Sequence, residues 1–305
     1  MGNRKRKGRA ISGWLCLDKP VGETSTRMVA TVKRLFDAAK AGHAGTLDPL
    51  ASGALPIALG EATKTVAEVQ NGRKVYRFTV RWGVETDTDD ADGKVVATSD
   101  ARPARAAIKA LLPAFTGEIM QAPPSFSAIK VEGERAYDLA RGGDIVDLAE
   151  RPITVHRLAL VDMPDSDHAR FEAECGKGTY VRALARDMGR RLLCRGHVVE
   201  LRRLAVGPFD EAAMVTLAAL IDAREVGMDA LDRLLKPIGA ALTDLTAVAL
   251  LPGDAIRLRR GQSVLLRGRD APVMSGPAHA VFGGETIAIG EVAEGQFHPK
   301  RVFQV

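Results

Sequence analysis

Apolar and polar positions alternate most cleanly between residues 75 and 82. Tyr76, Phe78, Val80 and Trp82 share one face and Val75, Arg77, Thr79 and Arg81 the other, which predicts a strand lying on a core. Alternation at Phe171, Ala173 and Cys175 predicts a strand over 169–175, next to another over 153–162. A shorter one over 14–18 ends at Lys19-Pro20-Val21-Gly22. Helical spacing takes over at Met28, Val29, Val32, Leu35 and Phe36, behind Thr24 and Ser25, whose hydroxyls suit an N-cap. A second helix over about 179–195 turns Val181, Leu184, Met188 and Leu192 inward. Its Arg182, Arg186 and Arg190 recur every four residues as a basic stripe. Pro103 to about Phe115 predicts a third helix, and Asp92-Gly93 a hairpin turn before Val95-Val96. Beyond about 245, strand-like pieces at 255–258, 264–266, 280–282 and 286–292, with Gly283-Gly284 between the last two, predict a small β-domain. Helices and strands are interleaved without a strict βαβ alternation, so the class is α+β (mixed α/β).

Composition narrows this picture. The 305 residues, 46% hydrophobic and 27% charged, describe a globular chain of about two domains. No apolar run is long enough for a membrane span and no apolar segment follows the basic start, so a soluble, cytoplasmic protein is expected. Cys16, Cys175 and Cys194 are too few and too scattered for a disulfide framework or a C-x-x-C site, and fit a reducing compartment. The net charge of +5 resides in residues 1–10, where Arg4, Lys5, Arg6, Lys7 and Arg9 have no acidic neighbour; the rest carries 38 basic and 38 acidic residues. A flexible basic tail over 1–10 is expected, either touching phosphate or an acidic surface or simply solubilising. Any nucleic-acid binding must therefore come from local clusters.

The stretch Gly42-His43-Ala44-Gly45-Thr46-Leu47-Asp48-Pro49-Leu50-Ala51-Ser52-Gly53 carries the most chemical information. Pro49 biases Asp48 towards extended backbone, and the glycines permit tight turns or close approach of a ligand. A carboxylate presented in this way serves as nucleophile or base, or else caps a turn. Glu85, Asp87, Asp89, Asp90 and Asp92 fail the EF-hand spacing, because Thr88 and Ser99 fall where the first and last ligands belong; a solvated acidic turn accounts for most of them. Gly176-Lys177-Gly178-Thr179 and Lys64-Thr65 lack the phosphate-loop spacing, and no G-x-G-x-x-G or H-E-x-x-H is present. No metal site is expected. Taken singly, Tyr76 reads as a core tyrosine and Arg186 and Arg190 as a solvated face.

Five motifs occurring in order change those odds. LDKPVGETS at 17–25, GHAGTLDPLASG at 42–53, KVYRF at 74–78, GTYVRALARDMG at 178–189 and LRRLAVGPF at 201–209 resemble the TruB family of tRNA pseudouridine synthases. The resemblance spans roughly residues 11–210. It implies isomerisation of uridine 55 in the T loop of transfer RNA to pseudouridine, with no cofactor, on the pseudouridine synthase fold with its largely antiparallel central sheet. It implies a catalytic domain over 11–245 with an RNA-contacting thumb over about 124–150, and a PUA-like RNA-binding domain over 246–305. Asp48 matches the family's catalytic aspartate and Arg182 the arginine paired with it, while Asp90 corresponds to the acid completing that network. Tyr76 matches the platform on which the flipped base stacks, Tyr180 a second pocket tyrosine and Leu201 the apolar wall. His43 matches the residue filling the space the base vacates; Lys19 and Lys130 are candidates for supporting or RNA contacts. Arg202 and Arg203 are read as phosphate contacts. The implied partner is the tRNA T stem-loop, with no membrane involvement, and a monomer is expected.

Overall fold

The structure, a computed structural model, describes residues 8–126, 130–131, 134–135, 148–266 and 275–304. The chain opens with β1 (Gly13–Lys19), whose seven residues are nearly all buried. Thr24 caps α1 (Ser25–Leu35) by accepting the Arg27 amide at 3.2 Å, and Met28 and Val32 carry its buried stripe. β2 (Ala41–His43) and β3 (Ala51–Leu59) follow, so both ends of the glycine-rich stretch are strand and only its centre is loop. After a short 3-10 turn come α2 (Val66–Asn71), β4 (Lys74–Trp82), β5 (Val84–Thr86), β6 (Val95–Thr98), α3 (Arg105–Leu111) and β7 (Gly117–Gln121). β5 and β6 form the hairpin expected around Asp92-Gly93.

Most of the expected thumb lies outside the described residues. Its β8 (Lys130–Val131) and β9 (Glu134–Arg135) pair antiparallel. The chain continues through β10 (Arg151–Asp162), β11 (His168–Cys175), α4 (Val181–Arg191), β12 (Gly196–Val206), β13 (Met214–Thr216), α5 (Leu217–Val226) and α6 (Met228–Asp232). Leu193 and Arg195, both at φ +56°, end α4 without a glycine. The last part holds β14 (Thr246–Ala249), α7 (Pro252–Arg259), β15 (Val264–Leu265), β16 (Gly276–Phe282), β17 (Glu285–Ala293) and β18 (Gln296–Val302).

Among the described residues a nine-stranded sheet runs in the order β13-β1-β3-β12-β4-β11-β10-β7, with β2 on β3. Its pairs are antiparallel except β1 with β13 and β3 with β12. The apolar run ALPIAL of β3 is buried on both faces, Leu55, Ile57 and Leu59 in one core cluster and Ala54 and Ala58 in another. Phe78, Phe171 and Trp82 pack in the core, Phe78 stacked on Phe171 at 5.4 Å between centroids.

The C-terminal sheet runs β14-β16-β17-β18-β15 and shares a cluster with the large one: Trp14, Phe209 and Ile238 pack with Ile289 and Phe303. Lys64 donates to the Val302 carbonyl at 2.8 Å across the same seam.

Three expectations need correction. Residues 255–258 are helical, inside α7, with Ala255 and Leu258 buried at helical spacing; four residues are too few to separate period 3.6 from period 2. Residues 1–7 lie outside the described residues, but Arg9 at the end of the expected tail is anchored, its guanidinium paired with Asp232 at 2.5 Å. The acidic segment over 85–92 is not mainly a solvated turn either, since Glu85, Asp89 and Asp90 are buried against arginines of and just beyond α4.

Candidate active site

The turn between β2 and β3 is bolted from several directions. Ser25 Oγ donates to the Leu47 carbonyl at 2.9 Å and accepts the Leu47 amide at 2.8 Å. Gly22 donates its amide to the Pro49 carbonyl at 2.8 Å, and the Asp48 carbonyl accepts from the Ala51 amide at 3.0 Å. What the turn presents is the Asp48 side chain, 40% exposed, at a cavity of about 260 Å³. Tyr76 from β4, Leu201 from β12, Lys177 and Tyr180 from the β11–α4 connection and Arg182 from α4 line the same space. Asp48 is the only carboxylate among these lining residues.

Arg182 organises the site. Its Nε lies 3.0 Å from Asp48 Oδ2 and its Nη1 3.2 Å from Asp90 Oδ2. It also donates to the Thr88 carbonyl at 2.8 Å and the Phe126 carbonyl at 3.0 Å, so all three guanidinium nitrogens are engaged. Asp90 is held in turn by the Thr88 hydroxyl at 2.5 Å and the Asp92 amide at 3.1 Å, and burial pushes its carboxyl above the usual range. One turn along α4, Arg186 meets Asp89 at 2.9 Å and donates to the Ala122 carbonyl at 2.8 Å; burial raises Asp89 to about 6. Further out, Arg190 and Arg195 share Glu85.

Two tyrosines flank the carboxylate. Gln121 clamps the Tyr180 backbone with both ends of its amide, at 3.1 Å and 2.9 Å, and Arg151 lies over the Tyr180 ring at 5.4 Å. Tyr76 is half-buried, and desolvation raises its pKa against the opposing charge of Arg203.

The structure thus brings Asp48, Tyr76, Tyr180, Arg182, Leu201 and Arg203 to one cavity, with Asp90 behind Arg182. His43 does not line that cavity: its Nδ1 is buried without a hydrogen-bond partner, and burial, then the Arg203 charge, lower its pKa. Lys19 is fully buried, donates to the Pro20, Glu23 and Pro49 carbonyls and is pushed down to about 8 by desolvation, so it supports the loop and cannot reach RNA. The phosphate reading of Arg203 fails because it is 2% exposed and bonded to protein carbonyls. Arg202 is paired with Asp18 at 2.9 Å and with Glu211 at 3.4 Å, so two carboxylates already engage its guanidinium. The Lys130 backbone lies in β8; its side chain is outside the described residues.

Sequence reasoning missed Ser25, Thr88, Asp89, Gln121 and Arg186. Only Asp89, next to Asp90, and Arg186, one turn after Arg182, carried a local signal. Lys74, which lines the cavity and is lowered to about 8 by burial, stood within the KVYRF motif without being singled out.

Residues 33–181 match the model of the TruB family pseudouridylate synthase N-terminal domain, and residues 182–243 that of the tRNA pseudouridylate synthase B C-terminal domain. The border between them falls inside α4, and so within the unit built on the nine-stranded sheet. The chain is 60% identical over 304 residues to the tRNA pseudouridine synthase B of Nitrobacter winogradskyi, covering 99% of this chain and 85% of that one. It is 57% identical over 306 residues to the protein of the same name from Agrobacterium fabrum, covering 99% and 97%. Among solved structures, a chain of a Cbf5-Nop10-Gar1 complex superposes with a TM-score of 0.74 at 25% identity, covering 96% of this chain and 84% of that one. A chain of an H/ACA RNP bound to a substrate RNA containing 2'-deoxyuridine gives 0.76 at 22% identity, over 100% and 92%, a likeness of fold.

Proposed function

The chain belongs to the TruB family of pseudouridylate synthases, and from that membership and the pocket around Asp48 we propose that it isomerises uridine 55 in the T loop of transfer RNA to pseudouridine. The observation that carries the chemistry is the single carboxylate in the cavity: Asp48, held on Arg182 at 3.0 Å and flanked by Tyr76, Tyr180 and Leu201.

Pseudouridine formation breaks the bond from ribose C1′ to base N1, turns the uracil over and joins C1′ to C5, which gives up its proton while N1 gains one. Substrate and product have the same atoms and the same oxidation state, so no water, metal or redox partner enters the balance. A glycosidase needs a second carboxyl group, one protonating the leaving group and the other attacking or activating water. Here the second nearby acid, Asp90, is buried against Arg182 and the Thr88 hydroxyl and does not line the cavity. That arrangement favours isomerisation over release of free uracil.

The residues divide the work accordingly. Asp48 is the catalytic carboxylate, acting on the ribose or on the base, and Arg182 fixes which of its oxygens faces the cavity. Reaching C1′ requires turning the nucleotide out of the folded loop at a cost of a few kcal/mol. Tyr76 offers the flipped base a stacking surface, worth about 1–3 kcal/mol. Leu201 closes the apolar side, Tyr180 stands opposite with its backbone fixed by Gln121, and His43 fills the space the base leaves. The partner is the T stem-loop, met by a monomer in the cytoplasm; no helix among the described residues is long and apolar enough to cross a membrane. The five-stranded C-terminal sheet is assigned to RNA binding as the PUA-like unit.

The test is an unmodified T stem-loop transcript incubated with the protein, with pseudouridine mapped by position and product mass recorded. Pseudouridine at position 55 with unchanged RNA mass is expected. Asp48→Asn should bind the transcript yet make no pseudouridine, and turnover by that variant would show that Asp48 is not the catalytic carboxylate. Free uracil in the supernatant would replace the isomerase by a nucleosidase.

A further inference from the structure

Arg203 is a cation in an unusual position. It is 2% exposed, and none of its guanidinium nitrogens meets a carboxylate within ion-pair distance among the described residues. Instead Nε donates to the Ala54 carbonyl at 2.8 Å, Nη2 to the Gly45 carbonyl at 3.0 Å and Nη1 to the Thr46 carbonyl at 3.3 Å. Tyr76, its register partner on β4, lies close enough for the Arg203 charge to act on its phenol. A buried charge without a counter-ion opposes folding unless strong acceptors surround it, so the arrangement calls for a reason other than stability.

Strand register supplies the geometry. In β12, Arg203 pairs with Gly53 of β3 on one side and with Tyr76 of β4 on the other, at an irregularity between Arg203 and Ala205. It therefore stands between the strand that leaves the Asp48 turn and the strand that carries the stacking tyrosine. Contact with the first is so close that a Cβ on Gly53 would lie 2.2 Å from the Arg203 carbonyl oxygen. Its guanidinium reaches under the turn, where Gly45, at φ +101°, aims a carbonyl at it. Two carbonyls within three residues of Asp48 thus converge on one rigid, planar fork, with the phenol of Tyr76 near it. The field of that charge also reaches His43, Lys19 and Lys74, lowering the pKa of each.

We infer that Arg203 is a positioning residue, fixing the Asp48 turn and the Tyr76 phenol relative to each other from beneath the cavity, and makes no contact with RNA phosphate. A carboxylate partner at this place would satisfy the charge but set a second anion beside Asp48 and beneath an anionic substrate. Main-chain carbonyls hold the guanidinium without that repulsion. A fork with donors in fixed directions can tie a turn to a side chain on another strand; a lysine ammonium at the end of a flexible stem cannot do so equally well.

The inference rests on the proposed pseudouridine synthase activity, and the experiment separates the two. Wild type, Arg203→Lys, Arg203→Met, Tyr76→Phe and Arg203→Lys with Tyr76→Phe are compared in single-turnover assays on the T stem-loop, with RNA affinity measured at several salt concentrations. Wild type making no pseudouridine would defeat the functional proposal itself. Given wild-type turnover, Arg203→Lys should slow the reaction about 10-fold and Arg203→Met about 100-fold or more, with Kd within about twofold and an unchanged salt slope. Tyr76→Phe should cost at least about threefold less in the Arg203→Lys background than in wild type, because the phenol has already lost its anchor. Thermal unfolding screens each variant, and if Arg203→Met does not fold, Arg203→Lys decides by the same criteria. Three results would overturn the inference: wild-type turnover by Arg203→Lys, independent losses in the double variant, or weaker RNA binding with a salt slope reduced by about one, the mark of a lost phosphate contact.

Discussion

Replacing Arg182 by methionine keeps most of the side chain's length and removes the charge that ties Asp48 to Asp90. The two carboxylates should respond differently. Asp48 is 40% exposed, so its loss of a partner belongs with solvent-screened pairs, worth about 1 kcal/mol or less. The Asp90 side chain is 7% exposed and faces Arg182 at 3.2 Å, so stripping its counter-ion leaves a buried charge, which typically costs about 3–5 kcal/mol. The Thr88 hydroxyl and the Asp92 amide still hold that carboxylate, so the lower end, about 3 kcal/mol, is expected, or a fall in Tm of about 6–12 °C. Since burial already raises the Asp90 pKa, the loss should shrink as pH falls and this carboxyl takes up a proton. Adding Asp90→Asn to Arg182→Met removes the stranded charge and should recover most of the stability while turnover stays abolished. Urea unfolding of both variants at pH 5.5 and 7.5, with single-turnover assays beside it, checks each step. A double variant no more stable than Arg182→Met would refute the assignment of Arg182 as counter-ion to Asp90. Activity regained by the double variant would refute the role of Arg182 in orienting Asp48.

Two further outcomes follow from neighbouring residues. Asp89, raised to about 6 by burial against the opposing charges of Arg186, Arg182 and Arg190 and with Glu85 adding to the rise, should lose its charge as pH falls through 6, releasing Arg186 and loosening the segment that carries Asp90. A single-turnover rate profile should therefore show an acid limb near pH 6 that Asp89→Asn abolishes. The linkage to stability has the opposite sign: a carboxyl raised on folding favours the fold most below its unfolded value of 3.8 and loses that contribution as pH rises through about 6. Activity should thus fall on the acid side while this group stabilises the fold there, and a matching acid loss of stability traced to Asp89 would contradict the reading. Gly53→Ala, at φ +98° with its new Cβ 2.2 Å from the Arg203 carbonyl oxygen, should destabilise by about 3 kcal/mol or more in urea unfolding; wild-type stability would show that the β3–β12 contact yields easily.

What the amino-acid order disclosed depended on whether a structure's cause was local. The strands around Phe78 and Phe171 and the helix begun by Thr24 follow from period and capping, and they were legible. Asp48, Tyr76, Tyr180, Arg182 and Leu201 were legible as a set because their motifs resemble one family, although neither period nor spacing could have put them around one cavity. Beyond Arg182 with Asp48 and Asp90, which the resemblance named, the arginine–acid pairs were not legible, because each depends on packing between distant segments: Arg190 and Glu85 are 105 positions apart. Arg203 was misjudged, and Lys19 left between a supporting and an RNA-contacting role, for the same reason. Lysine and arginine are seldom fully buried, and only carbonyls gathered by the fold make their burial tolerable. β18 went unpredicted because QFHPKRV buries a single large apolar residue, Phe297.

The stripe of arginines that resembled a solvated face has an order that explains its purpose. Along α4, Arg182, Arg186 and Arg190 meet Asp90, Asp89 and Glu85, so helix and acidic segment run in opposite directions, charge against charge. Arginine side-chain exposure rises outwards from 6% to 8% to 50%. Buried pairs add little to stability compared with well-packed apolar side chains, so the two inner ones are poorly explained as a means of strengthening the fold. Their value is positional, because opposite charges in a dry setting tolerate one register only. A slip of α4 by one turn would leave an acid at one end of the row and an arginine at the other without their partners. The innermost guanidinium, located by that register, is the one that reaches Asp48. A reaction served by one carboxylate has no second acid to correct its aim, and the placement of Asp48 is thereby transferred to a row of pairs anchored well outside the cavity.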